Sequence, residues 1–343
     1  MALFFIYAGR KGSGLESTLA PYELARELDI DARLFFSKDN ERKALIEKIY
    51  PEAQFFNFTS PLDILKMKKA IGSGWSFFTM ISPKMIPLFY SLSGKKIFYF
   101  HATFETSMSK PSLGGWAIDS LHDAVIRGST LTLATKAPLA WQIKLRLDKD
   151  AETFIHPPFI LRPGFFAAEK PRVLPFDRYF LYFGDVDREA KGVKVLVKAL
   201  EEYPQIKAIV AGRRGNLPKL GNLVHLKGWI DEGEMHYMIK NAEAVVLPYL
   251  VPAQFSGCLA LSFHFRTPVI ASNTSTFEDW IEEDKTGWLF PSGDHHALGK
   301  KMLEVWEGKR KYSKDAIAKK ELEMKEKSKK SLKGILEKIQ YTD

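Results

Sequence analysis

The sequence predicts an α/β protein built from two doubly wound units, and three observations carry that expectation. Short β-rich apolar runs alternate with amphipathic helical stretches from one end of the chain to the other, the pattern of parallel strands joined by helical crossovers. The alternation breaks once, from His156-Pro157-Pro158 through Pro163-Gly164 to Pro171, and a proline-rich stretch of that kind reads as an interdomain connection. It then restarts. The length of 343 residues exceeds one ordinary core and suits two domains of roughly 150 residues each.

In the first half, residues 3–7, 33–36, 54–58, 76–81, 96–100 and 130–134 read as strands, and 19–28, 62–70 and 117–126 as helices. In the second half the strands are expected at 179–183, 208–210, 224–226, 244–247 and 268–271, with helices at 193–202 and 232–242. The resulting division is a first domain over 1–160, a linker over 161–172, a second domain over 173–315 and a closing lysine-rich helix over 316–343. In that last stretch lysine and glutamate alternate at helical spacing, the mark of a solvated helix laced with internal ion pairs, while a helix crossing back onto the first domain fits equally.

With 45% apolar and 13% aromatic residues the chain has ample material to bury, which excludes disorder. The single cysteine, Cys258, allows no intrachain disulfide and favours a cytoplasmic setting; the inner face of the membrane is also open to a chain this basic. No histidine or cysteine pair has the spacing of a zinc site, and no metal is expected. The apolar start, Ala2 to Ala8, is short and followed by Arg10 and Lys11, so it reads as a buried strand rather than a signal peptide. A net charge of +9 fits a nucleic acid, an anionic membrane surface, a phosphorylated substrate, or a plain lysine-rich surface. Nucleic acid is disfavoured, because no recognised binding module is present.

The residues that carry chemistry cluster in the second half. A strand ends at Phe183-Gly184-Asp185, a short loop follows with Arg188 and Lys191, and a helix begins near Gly192. Backbone N–H groups at a helix start attract an anion, and Lys191 beside them suits a diphosphate. A second strand closes on Gly212-Arg213-Arg214-Gly215, a third on Gly228-Trp229-Ile230, and the loop Pro252-Ala253-Gln254-Phe255-Ser256-Gly257-Cys258-Leu259 opens onto another helix.

In order and spacing this succession resembles the donor-binding domain of the GT4 (group 1) family of retaining glycosyltransferases, closely over residues 179–305 and loosely before them. The resemblance implies the GT-B architecture, two Rossmann-like domains facing across a cleft, and transfer of a sugar from a nucleoside-diphosphate sugar to a glycan, lipid-linked or other hydroxyl acceptor. No cofactor is expected beyond that substrate, whose base stays open. Lys191 falls where the family's lysine binds the diphosphate, with Arg188 nearby. Gly184, Gly212 and Arg213 fall at turns lining the nucleotide pocket, Trp229 and Ile230 beside the base, and Gln254, Ser256, Gly257, Cys258 and Leu259 in the loop near the phosphate and sugar. In the first domain Gly12 and Gly14 belong to a stretch resembling the glycine-rich loop over the diphosphate, and His101 to a histidine near the transferred sugar. Trp75, Phe77, Phe78, Phe104 and Trp116 are core aromatics or acceptor contacts, and a basic, aromatic first domain suits peripheral contact with an anionic membrane.

The chain also departs from the family pattern. Two glutamates eight residues apart are expected near the Ser256 loop, and Ala253 and Leu261 occupy those positions; Asp185 stands where an arginine commonly follows the strand-end glycine. These departures motivate a second reading, a catalytically degenerate GT-B protein acting as a binding or scaffold module. A sugar-nucleotide epimerase is a third, lacking the acid and histidine set for proton transfer.

Overall fold

The computed structural model describes residues 2–10, 14–79, 82–100, 113–212, 214–228, 230–252 and 255–340. The chain divides into two compact units, one of Met1–Phe165 with Lys325–Asp343, the other of Phe166–Met324. Each is built on one parallel sheet.

The first unit's strands are β1 (Ala2–Tyr7), β2 (Asp31–Ser37), β3 (Gln54–Phe56), β4 (Trp75–Phe78), β5 (Lys96–Phe100), β6 (Leu131–Ala134) and β7 (Glu152–Thr153), arranged β3-β2-β1-β4-β5-β6-β7. Between them run α1 (Gly14–Glu27), α2 (Lys43–Ile49), α3 (Pro61–Ile71), α4 (Ile86–Ser91), α5 (Leu113–Gly128) and α6 (Ala137–Leu147). Central strands covered on both faces are apolar throughout, which is why Leu3, Phe4, Phe5 and Ile6 are all buried. Trp75, Phe77 and Phe78 are core residues of β4, whereas Trp116 on α5 is 53% exposed; Phe104 lies outside the described residues.

The second unit's strands are β8 (Phe180–Phe183), β9 (Ala208–Gly212), β10 (Leu223–Lys227), β11 (Val245–Leu247), β12 (Val269–Ser272) and β13 (Gly287–Phe290), in the order β10-β9-β8-β11-β12-β13. Its helices are α7 (Val193–Glu202), α8 (Glu232–Asn241), α9 (Gly257–His264) and α10 (His295–Trp306), and a final helix, α11 (Lys314–Gln340), runs on into the residues that group with the first unit.

Several elements differ from the sequence expectation. Helix α1 begins at Gly14, five residues before the expected 19, and carries Pro21 inside it, although proline ordinarily belongs in a first turn. Strand β4 stops at Phe78 and β3 at Phe56, short of the expected 81 and 58. Helices α2, α4, α6 and α10 and strands β7 and β13 were not expected at all. The closing helix has internal pairs, Lys333 with Glu337 and Lys320 with Glu323, but it is not the solvated helix its charge pattern suggests. Ile317, Met324, Leu332, Ile335, Leu336 and Ile339 are buried, and its lysines reach carboxylates elsewhere, Lys329 and Lys325 to Glu27 and Lys320 to Glu282.

Candidate active site

In the second sheet β8 and β11 are neighbours although not consecutive, so the chain leaves this point in opposite directions. Ligands of open α/β sheets bind beyond the carboxyl ends of the strands at such a switch point. The loops there are drawn together by glycines. Gly184, just after β8, has φ +134°, and a Cβ on Gly212 at the end of β9 would lie 2.4 Å from the Gly184 carbonyl oxygen. Gly192 has φ +66°, and its Cβ would meet the Pro248 carbonyl oxygen at 1.8 Å. Only glycine lets the α7 start approach the end of β11 so closely. Leu250 N–H donates to the Ala190 carbonyl (2.9 Å) along the same seam.

That approach sets Lys191 against Tyr249. The Lys191 Nζ stands 3.7 Å from the centroid of the Tyr249 ring, a cation–π contact, and Lys191 forms no ion pair among the described residues. Burial pushes its pKa down; the nearby Cys258 opposes that and the like charge of Arg188 adds to it. Arg188 is exposed, three residues earlier, and its carbonyl accepts from Lys191 N–H (2.8 Å). Tyr249 is fixed on all sides. Its hydroxyl is 3.1 Å from Ser256 Oγ, its carbonyl accepts from Ser272 Oγ (2.6 Å) and Ser292 Oγ (3.0 Å), and Phe277 packs edge-on against its ring.

Ser256 caps α9, its Oγ accepting from Leu259 N–H (3.3 Å). The amides of Gly257 and Cys258 in the first turn have no carbonyl to bond within the helix and form a ready anion site. The Cys258 thiol donates to the Phe183 carbonyl (3.2 Å), which binds α9 to the end of β8; burial pushes that thiol's pKa up, and the Lys191 charge opposes it.

The structure thus gathers Gly184, Lys191, Gly212, Ser256, Gly257 and Cys258 at one edge of one sheet, with Arg188 beside Lys191. Leu259 does not serve there as expected. Its side chain is buried and its amide is already bonded to Ser256. Ile230 lies half-buried after β10, following Gly228. Arg213, Trp229, Gln254, Gly12 and His101 lie outside the described residues. Tyr249 and His225 are not among the residues the sequence singles out; His225 Nε2 stands 3.3 Å from the Gly212 carbonyl.

The first sheet has its own switch point, between β1 and β4. Gly14 lies there as the buried first residue of α1. Arg42 pairs with Glu16 and lies over the Phe165 ring at 4.3 Å, and Asn40 Nδ2 donates to the Gly9 carbonyl (3.0 Å). Leu261, where a family glutamate is expected, is a half-buried residue of α9; Ala253 lies outside the described residues.

Residues 168–330 match the family described as glycosyl transferases group 1. The chain is 28% identical over 136 residues to a phosphatidyl-myo-inositol mannosyltransferase of Mycobacterium leprae, a match spanning 36% of each chain. Among solved structures it is similar to a sucrose-phosphate synthase from Thermosynechococcus elongatus, with a TM-score of 0.69 over the whole of both chains at 14% identity. It is also similar to the Anabaena protein HepE solved with UDP and glucose, with a TM-score of 0.64 over 99% of this chain and 100% of that one at 12% identity. At these identities the likeness shows the fold, which is GT-B. Among the described residues no helix is long and apolar enough to cross a membrane.

Proposed function

We propose that this chain, whose residues 168–330 belong to the group 1 glycosyl transferases, transfers a sugar from a nucleoside-diphosphate sugar to a glycan or lipid-linked hydroxyl. The observation that carries the reading is the Lys191 ammonium, held on the Tyr249 ring rather than by a carboxylate, beside Arg188 and the open amides of α9. A cation kept by a π face has no carboxylate to give up before it meets an incoming anion. A diphosphate is the anion whose size and charge suit two cations and a helix start. The UDP bound in the Anabaena structure supports the same ligand class.

In the proposed reaction the glycosyl centre passes through an oxocarbenium-like transition state, and negative charge grows on the departing diphosphate. Lys191, Arg188 and the amides of Gly257 and Cys258 stabilise that charge, the kind of fixed electrostatic help that dominates many catalysed reactions. These groups perform the task a divalent ion performs elsewhere, so transfer is metal-independent. Retention of the anomeric configuration follows from the family resemblance alone. Peripheral contact with an anionic membrane, which would bring a lipid-linked acceptor within reach, is part of the proposal and rests on the +9 charge and the exposed Trp116.

The second reading, a binding module without transfer, rests on Ala253, Leu261 and Asp185. A thermal-shift screen with UDP, GDP, ADP and their sugar conjugates, repeated on Lys191→Ala, tests both. One nucleotide should stabilise the wild type by about 2.7 kcal/mol at a hundred times its dissociation constant. Losing a hydrogen bond to a charged group, about 1.5–3 kcal/mol, should weaken that ligand roughly ten- to a hundredfold in the variant. Absence of any shift at millimolar nucleotide rejects the donor site. A nucleotide that binds without product in mass spectrometry of protein, nucleotide sugar and acceptors selects the binding module.

A further inference from the structure

We propose that Glu202, His295 and His296 form a site for a divalent transition ion of the zinc class, tying the start of α10 to the end of α7. The inference is independent of the transfer reaction, which needs no ion. A ligand atom from each of the three residues lies within 4.8 Å of the others. His296 Nδ1 stands 2.5 Å from a Glu202 carboxylate oxygen, and the two imidazole rings are 4.0 Å apart, centroid to centroid. Two imidazole nitrogens with one carboxylate oxygen are the donor set of borderline ions such as Zn²⁺, Co²⁺ and Ni²⁺, with water completing the shell. Magnesium and calcium take oxygen ligands and do not suit it. Donor atoms bound at about 2.0–2.1 Å sit roughly 3–3.5 Å from one another, so the three side chains need only rotamer adjustments to close on one ion.

The backbone brings these residues together and holds them there. A Cβ on Gly299 would lie 2.4 Å from the ring of Tyr203, the residue just past α7, so α10 packs closely against the end of α7. His296 lies three residues before Gly299, about one helical turn, and Glu202 lies one residue before Tyr203. Both helices are anchored in the same core, α7 through Leu196 and Leu200 and α10 through Leu298 and Met302. Asp294 caps α10, its carboxylate accepting from Ala297 N–H (2.9 Å), so the histidines sit in a formed first turn. Glu202, in the last turn of α7, supplies the negative charge at the end of a helix that favours a cation. A plain ion pair would use His296 and Glu202 and leave His295 without a part. His296 is 68% exposed, so an ion reaches the site without any opening of the fold.

The test is calorimetric titration of the untagged full-length chain with Zn²⁺ after chelator treatment, with Co²⁺ absorption as a second reading of ligand number. The expected result is one ion per chain. His295→Ala, His296→Ala and Glu202→Gln should each weaken binding at least about tenfold, while the neighbouring Glu201→Gln leaves it unchanged. Zn²⁺ should raise the unfolding midpoint of the wild type and not that of the double histidine variant, whose metal-free midpoint should match the wild type's. No stoichiometric binding overturns the proposal. So does binding that survives both histidine substitutions, or that His295→Ala leaves intact, which would reduce the site to an ion pair.

Discussion

Tyr249 holds two parts of the candidate site at once, Lys191 by its ring and Ser256 by its hydroxyl. The two contacts can be separated. Tyr249→Phe keeps the π face and loses only the hydroxyl, whereas Tyr249→Leu removes the surface on which the ammonium rests. A cation–π contact of this kind contributes about 0.5–2 kcal/mol. The leucine variant should therefore bind the stabilising nucleoside diphosphate roughly 2- to 30-fold more weakly than the phenylalanine variant. The corresponding monophosphate, which lacks the phosphate assigned to Lys191, should distinguish them little. Equal diphosphate affinities by calorimetry would remove Tyr249 from the positioning of Lys191. Lys191 was singled out in the sequence because it stands beside a helix start, and the family resemblance, more than the local pattern, assigned it to a diphosphate. Tyr249 was not, since Leu247-Pro248-Tyr249 looks like any strand running out. Its importance comes from two contacts 58 and 7 residues away in sequence, which no local pattern records.

Glycines decide how closely the elements approach, and they are not equivalent. Gly192 and Gly308 both have left-handed φ, +66° and +70°, but a Cβ at Gly192 would meet the Pro248 carbonyl oxygen at 1.8 Å while one at Gly308 meets nothing within 4 Å. Gly308→Ala should cost only the backbone penalty, about 1–2 kcal/mol. Gly192→Ala must in addition displace α7 from the end of β11, at a further cost of about 1–3 kcal/mol, and should impair nucleotide binding as well. Urea unfolding with a parallel nucleotide titration separates the two; matching losses would show that the α7 start has room to move. All strands but β7 and β13 were legible because aromatic and β-branched runs bounded by glycine and proline have one easy reading. Helix α10 was not read from the sequence, and the Tyr203 ring that packs against its Gly299 lies just past α7, 96 residues away in sequence. In α11 the buried positions 317, 321, 324, 328, 332, 335, 336 and 339 follow helical spacing, but two of them are Glu321 and Ser328. Those two polar residues broke the apolar stripe, and the surrounding lysines made a packed helix look solvated.

At the scale of the whole chain, two stretches that follow the first sheet in sequence complete the first unit. One carries Arg162, past the last strand of the sheet. It donates to Glu23 (2.9 Å), to the Ile49 carbonyl (3.0 Å) and to Glu52. Burial alone would raise the Glu52 pKa, yet hydrogen bonds from Arg162 and Tyr22 hold it at about 2. A carboxyl depressed in the fold contributes stability above its ordinary pKa of 4.5 and loses it as the pH falls toward 2. The wild type should accordingly lose more of its unfolding midpoint than Glu52→Gln between pH 5 and about 2.5; parallel losses would show that the pair does not contribute. The other is the last part of α11. Residues 325–343 group with the first unit, and Leu332, Ile335, Leu336 and Ile339 are each less than 5% exposed there. Burying such side chains contributes about 1.5–3 kcal/mol each, so four amount to roughly 6–12 kcal/mol as an upper bound. That is comparable with the whole stability of a domain, about 5–15 kcal/mol. A chain ended at Met324 should therefore lose the unfolding transition of the first unit, or show it at a much lower temperature, while Phe166–Met324 keeps its own. The ion pairs of Lys325 and Lys329 with Glu27 and of Lys338 with Glu152 are too exposed to supply that difference. Half-molar salt should leave the full-length transition nearly in place, whereas Leu332→Ala should lower it by about 2–5 kcal/mol. The opposite pair of results, a salt-sensitive transition indifferent to Leu332, would assign the docking of α11 to its charges after all.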